Sequence, residues 1–356
     1  MVSNKPKLST IDYVRLITSI CKTAISTIGA VITGPFRGNS GPTSYKHHVL
    51  FTAMRAYMKY TPTHQLQATT PSTTEAYAAF VKSMSLPFKA STLEDGSTAY
   101  WLGHKAADTV LLFFHGGGYA MPATVAHFQL LSDLQGQATS QNSSLSVLIL
   151  EYGLAPSAQY PSQLKQATYA YKYLTETRKL PPSRILLAGD SAGGHLALGL
   201  LSHLAHPHPE LPTTNATDPI AGTILISPWV TFVTNSPSMS KNLYKDCLDI
   251  GTLQKWSKAF IGNAPMDNYT VPLNAEPAWW SGLKTKVLCI VAGGTELFFD
   301  DIENFATKVK VHHPEVEFFN SPGEAHDSPI SDIVMGFKEG AAARKFCQWI
   351  LTTIKK

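Results

Sequence analysis

The chain has 356 residues, 44% of them hydrophobic and 15% charged, which excludes a disordered, fibrous or coiled-coil protein and leaves ample length for a large core. Its net charge of +4 is spread without any run of five lysines or arginines, so no nucleic-acid partner is expected. Neither His-Glu-x-x-His nor Cys-x-x-Cys occurs, so no metal is expected, and Cys21, Cys247, Cys289 and Cys347 read as reduced core thiols.

Residues 1–86 look helical, punctuated by Pro35, Pro42, Pro62 and Pro71. Within them Ile17, Ile20, Cys21, Ala24, Ile28, Val31 and Ile32 fall on one helical face, and Arg15, Ser19, Lys22 and Ser26 on the other. The polar stripe argues against a membrane span, and no signal-peptide cleavage site follows. A helix packed on its own protein is expected, with peripheral membrane contact through residues 11–33 as the second reading. The expected location is the cytoplasm, with that contact as an addition. Sequons at Asn142, Asn215 and Asn268 arise often by chance and carry little weight.

From about residue 87 the texture changes. Phe88–Leu93 and Thr98–Leu102 flank Glu94-Asp95-Gly96, a tight-turn signal, and predict antiparallel strands. Short apolar runs follow at Val110–Phe114, Ser146–Glu151, Arg184–Ala188, Gly222–Ser227, Lys286–Ala292 and Val316–Asn320. They read as strands buried on both faces. Helical patterns lie at 161–178, 192–205, 300–311 and 336–354. The alternation predicts an α/β fold with a mostly parallel eight-stranded sheet and helices on both faces. Residues 206–219 form a Pro-rich loop. Residues 230–283 exceed what one crossover needs. The expected organisation is a helical lid segment over 1–86, a catalytic core over 87–229, a lid insertion over 230–283, and the rest of the core over 284–356.

The sharpest local signal is Gly189-Asp190-Ser191-Ala192-Gly193, between a strand and a helix pattern. Such a turn strains the nucleophile backbone and needs small neighbours, so it thrusts the Ser191 hydroxyl out beside a helix N-terminus. His115-Gly116-Gly117-Gly118-Tyr119 follows a strand, and its amides can converge on a carbonyl oxygen that gains charge. Ala192, after the nucleophile, would supply another donor. A serine needs a base, and the base an orienting acid. His312 and His313 precede the last strand, whereas His326 follows it and is the expected base. Glu296, Asp300 and Asp301 follow the seventh strand. The two aspartates open a helix, where carboxylates are natural caps, so Glu296 is the expected acid.

These segments, with Glu151-Tyr152-Gly153-Leu154-Ala155-Pro156, resemble the hormone-sensitive-lipase branch of the α/β hydrolases, in particular its fungal esterase-like members, over roughly residues 87–354. The resemblance implies an α/β-hydrolase fold, oxyanion donors at Gly117, Gly118 and Ala192, and an acid about 30 residues before the histidine, which again favours Glu296. It implies a serine esterase with no cofactor, acting on a small-molecule ester such as an acetyl ester or a lactone. It also implies lids from both set-apart segments, with Tyr119, Trp229, Phe232, Trp279 and Trp280 against a bulky apolar substrate. The chain departs from the family pattern at Gly153, Ser157 and His195, and in having Glu as the acid. The alternatives are an acyltransferase or cyclase of natural-product biosynthesis, and a non-catalytic receptor. Retention of Ser191, Glu296 and His326 together argues against the receptor.

Overall fold

Runs of Leu, Ile, Val and Phe that are apolar on both faces can be buried only inside a sheet covered on two sides. The computed structural model describes residues 5–214 and 218–355. Among the described residues the sheet has eight strands: β1 (Ala90–Thr92), β2 (Thr98–Leu102), β3 (Thr109–Phe114), β4 (Leu145–Glu151), β5 (Ile185–Asp190), β6 (Gly222–Ile226), β7 (Leu288–Gly293) and β8 (Val316–Ser321). Their order is β1-β2-β4-β3-β5-β6-β7-β8, with β2 antiparallel to both of its neighbours, β1 and β4, and the other pairs parallel.

Alternation along each strand splits the core in two. Leu112, Phe114, Leu187 and Ile290 face one layer, and Leu111, Phe113, Leu186 and Val291 the other. The first layer is closed by α6 (Ser162–Lys172), α7 (Ala192–Ala205) and α10 (Phe299–Lys310), the second by α4 (Thr73–Ser83), α5 (Val125–Ser140) and α12 (Ala341–Thr353). Two helical expectations are corrected. The helix expected over 336–354 begins only at Ala341, as α12, and a separate helix that was not expected, α11 (Ser328–Met335), precedes it and is stopped by a left-handed cap at Gly336, φ +69°. The pattern at 161–178 holds as α-helix only to Lys172 and then passes into a π-helical turn, Tyr173–Thr177. The crossover helix α5 has no counterpart among the predicted helices.

Ahead of the sheet lie α1 (Thr10–Thr33), α2 (Tyr45–Tyr60), α3 (Thr63–Thr69) and α4. A capping box of Ser9 with Asp12 starts α1. This helix runs antiparallel along α2, held near its start by His64 on Asp12 (3.0 Å), then by Ser19 Oγ donating to the Tyr60 carbonyl (2.7 Å), and near its end by the Tyr45 hydroxyl donating to the Val31 carbonyl (2.8 Å). The side that faces the protein is mostly small or polar, with Leu16 the exception: Ser19 and Ala30 are buried, and Leu16, Thr23, Ser26 and Thr27 partly so. Ile11, Val14, Ile17, Ile20, Ile25, Ile28, Val31 and Ile32 point outward, from 46% exposed at Val31 to 70% at Ile25. The helix is thus packed on its own protein, as expected, but its apolar face is the one left outward. Cys21 shares the outer side and is exposed, so only Cys247, Cys289 and Cys347 are buried thiols. Asn142 lies in the turn before β4 and Asn268 in the insertion, whereas the Asn215 sequon lies outside the described residues.

Between β6 and β7 the chain forms α8 (Pro237–Lys241) and α9 (Ile250–Ile261), then two 3-10 turns, Pro272–Asn274 and Pro277–Trp280.

Candidate active site

In a parallel sheet the loops after the strands gather at one rim, and that is where ligands bind in open α/β folds. The four predicted segments follow β3, β5, β7 and β8, so the topology alone brings them together.

Ser191 sits between β5 and α7 at φ +50°, ψ −114°, a conformation that L-residues rarely adopt. Its glycine neighbours make the turn sterically feasible. A Cβ on Gly189 would lie 2.3 Å from the Gly193 carbonyl oxygen, and one on Gly193 would lie 1.9 Å from that of Phe114. Gly193→Ala would force α7 off β3. It should therefore lower the melting temperature sharply or abolish soluble expression, as thermal denaturation would read.

The Ser191 hydroxyl lies 2.9 Å from His326 Nε2, and the other ring nitrogen, Nδ1, lies 3.4 Å from Glu296 Oε2. The latter distance is that of an ion pair rather than a tight hydrogen bond. All three residues are buried, Glu296 completely. Burial disfavours the His326 imidazolium, but Glu296, backed by Asp246 and Asp190, outweighs it and holds the pKa above the ordinary 6.5. Burial likewise raises Glu296, against the opposing pull of His326 and Ser227.

Asp300 and Asp301 do not reach the histidine. Asp300 accepts the Ser238 amide (2.7 Å), and Asp301 accepts the Ser236 hydroxyl (3.0 Å). His313 bonds the Thr285 carbonyl (2.9 Å) and His312 is exposed.

After β3, Gly117 and Gly118 take φ +97° and +59°. Among the described backbone hydrogen bonds, none has the Gly117, Gly118 or Ala192 amide as donor. The loop is held from behind. Gly116 donates to Asp190 Oδ2 (2.8 Å), and the Tyr152 hydroxyl donates to the His115 carbonyl (2.7 Å).

Asp190 also meets Asp327 and His127, three groups whose ligand-type atoms lie within 4.8 Å of one another. The Thr124 amide donates to His127 Nδ1 (3.0 Å), so Nε2 carries the hydrogen and turns it toward Asp190, leaving no lone pair there for a metal. Burial first, and then the Asp190 charge, hold the Asp327 carboxyl far above its ordinary range.

The predicted substrate side chains divide. Tyr119 is buried, stacked on Phe260 of α9 at 3.8 Å, and donates its hydroxyl to His195 Nδ1 (2.5 Å). His195 hands its Nε2 hydrogen to the Thr270 carbonyl (2.9 Å), and burial lowers its pKa to about 4, so it stays neutral. Trp229 donates its backbone amide to the Ser191 carbonyl (3.1 Å) and packs edge-on against Phe232. Trp279 and Trp280 are not brought to Ser191. Trp279 stacks on His206 and bonds Ser202, about 15 Å along α7 from its start, and Trp280 packs on Phe305 of α10. Trp256 of α9, which no motif marks, covers the glycine loop instead: a Cβ on Gly118 would lie 2.3 Å from its ring.

A serine on a strained strand-to-helix turn, an acid after a later strand and a histidine after the last one follow the chain order and placement of an α/β hydrolase. The chain belongs to the α/β hydrolase fold family, whose profile matches residues 111–329, and within it to the hormone-sensitive-lipase-like branch. It is 30% identical over 207 residues to an acetyl-hydrolase of Streptomyces hygroscopicus, covering 57% of this chain and 63% of that protein. It is 26% identical over 216 residues to steryl acetyl hydrolase 1 of Saccharomyces cerevisiae, covering 57% of this chain and 47% of that protein. The matches thus span about half to two thirds of the length of these relatives. Among solved structures, a hormone-sensitive lipase from a metagenome library superposes with a TM-score of 0.63 at 25% identity, covering 76% of this chain and 85% of that one.

Proposed function

We propose that this protein is a serine hydrolase of carboxylic esters acting through Ser191, His326 and Glu296. One observation carries the reading: a serine hydroxyl on a left-handed turn, 2.9 Å from an imidazole whose far side faces a buried carboxylate. His326 Nε2 takes the hydroxyl proton as Ser191 Oγ bonds the ester carbonyl carbon. The carbonyl oxygen becomes an oxyanion facing the Gly117, Gly118 and Ala192 amides, where each donor is worth about 10²–10³ in kcat. His326 then gives its proton to the departing alkoxide. Water repeats the cycle on the acyl-enzyme, with His326 as base. Glu296 stabilises the imidazolium in both halves.

The substrate class we infer is an acetyl or similarly short acyl ester, or a lactone, of a bulky apolar alcohol. Two of the relatives above are named acetyl hydrolases, and the nearest cover on the site, Trp256, Phe260 and Phe232, is apolar and aromatic. The insertion 230–283 and the N-terminal helices then act as lids. Ser191 is only 8% exposed, so the approach to its hydroxyl is narrow. The test is labelling by a fluorophosphonate probe with peptide mapping, followed by turnover of 4-nitrophenyl esters of rising acyl length. Labelling at Ser191 with fastest turnover of the acetyl ester supports the reading, and an unlabelled Ser191 refutes it. Product analysis with added alcohols separates hydrolysis from acyl transfer.

A neutral His326 is required, and its pKa is raised, so kcat/KM should climb with pH through a midpoint above 6.5 and then level off. A midpoint well below 6.5 would contradict the pairing with Glu296.

The reading includes peripheral contact with a bilayer through α1. This helix is long and apolar enough to cross a membrane, yet it lies lengthwise on α2, so it meets a leaflet side-on. Ile17→Ser, Ile25→Ser and Ile28→Ser together should abolish flotation with liposomes while leaving the melting temperature within a few degrees, since these side chains touch solvent. Flotation equal to the parent would remove this part of the reading.

A further inference from the structure

We propose that Asp246 is a positioning residue of the active site, a single carboxylate that fixes the base loop and the acid loop at one separation. The inference rests on the esterase reading and concerns how its geometry is held. Asp246 belongs to the insertion between β6 and β7, 80 residues before His326, and is completely buried. Its Oδ1 accepts the His326 amide (3.2 Å) and the Cys247 amide (2.6 Å), and its Oδ2 accepts the Leu297 amide (2.5 Å). One of those amides is the base's own, and another belongs to the residue directly after Glu296. Asn242, four residues earlier in the same turn, donates its side-chain amide to the Glu296 carbonyl (3.0 Å). The insertion therefore grips both catalytic loops from beneath.

From the opposite side, Arg55 of α2 donates to the Asp246 backbone carbonyl and is steadied by Thr52 Oγ1 (3.0 Å). A buried carboxylate with three amide donors and a guanidinium beside it is matched in hydrogen bonds and in charge, as burial of an ion requires. The result is a chain of contacts from the N-terminal helices to the two loops. His326 must stay within contact of Ser191 on one side and Glu296 on the other, and a displacement of about 1 Å in such a constellation costs on the order of 10² in rate.

Asp246 acts through charge as well as position. The titratable groups facing His326 are Glu296 from the β7 loop, Asp246 and Cys247 from the insertion, Asp190 from the β5 turn, and its neighbour Asp327, with Arg55 behind Asp246. Removing one negative charge from this set disfavours the imidazolium.

The test compares Asp246→Ala and Asp246→Asn with the parent on 4-nitrophenyl acetate, using enzyme counted by fluorophosphonate titration. The expected result is a kcat per titrated site lower by about 10² for the alanine variant and less for asparagine, which keeps one acceptor. KM should stay within about threefold, and the acid limb of kcat/KM should move to lower pH in both variants. A purely structural role would reduce the titrated fraction but leave kcat per site and the acid limb at parental values, and that outcome overturns the proposal. If neither variant folds, Arg55→Met decides: a several-fold fall in kcat per site supports the clamp, and parental kcat overturns it. A parent enzyme that neither labels at Ser191 nor turns over would refute the esterase reading instead.

Discussion

Ser191→Ala is expected to lower kcat by about 10⁶, and His326→Ala by about as much. The two side chains form one proton-transfer unit, 2.9 Å apart, so the double variant should be no worse than either single one. What survives is the contribution of binding and of the oxyanion amides, which neither change touches. Stopped assays with 4-nitrophenyl acetate and enzyme quantified by absorbance measure the loss, and circular dichroism checks the fold. If Ser191→Ala kept more than about a hundredth of the parental rate, the nucleophile would lie elsewhere.

Glu296→Gln should cost about 10⁴ in kcat. The amide has the size of the carboxylate but brings no charge. It can also turn its NH₂ toward His326 Nδ1, which favours the tautomer with the hydrogen on Nε2 and leaves the base facing Ser191 with nothing to accept a proton. Loss of the carboxylate also removes the main support of the raised His326 pKa, so the acid limb of kcat/KM should fall. Asp300→Asn, in contrast, should stay within about twofold of the parent, because that carboxylate is engaged with the Ser238 amide. The reverse pattern, with Asp300 essential and Glu296 dispensable, would reassign the acid.

The strands were legible because a parallel sheet buried on both faces demands continuous apolar runs, and these runs are interrupted by the polar and glycine-rich ends where the site forms. The turn at Ser191 was legible because its sterics admit so few sequences. Less visible was α5, where Gly136, Ser132, Thr139 and three glutamines dilute the periodicity although Leu130, Leu131, Leu134 and Ala138 make a proper inner face. The late start of the helix expected over 336–354, behind α11 and its left-handed cap at Gly336, depends on backbone geometry that a pattern of apolar residues does not encode. The aromatics illustrate the same limit. Trp229, Trp279 and Trp280 look alike in sequence, but only the first is carried to the rim, because the tight turn after β6 leads directly past Ser191. Asp246 and Trp256 carry no local signature, since their partners are supplied by chain segments distant in sequence.

On the esterase reading, the outward apolar side of α1 would bear on the traffic of reactant and product. An oily acetate ester collects in hydrocarbon, whereas the acetate it yields is charged and returns to water. If α1 seats in a leaflet as proposed, the reservoir of reactant would lie one helix away from α2, which holds Asp246 through Arg55. Partitioning would then draw reactant in from the lipid and carry the acid away on the aqueous side, so that turnover has a direction in space as well as in free energy.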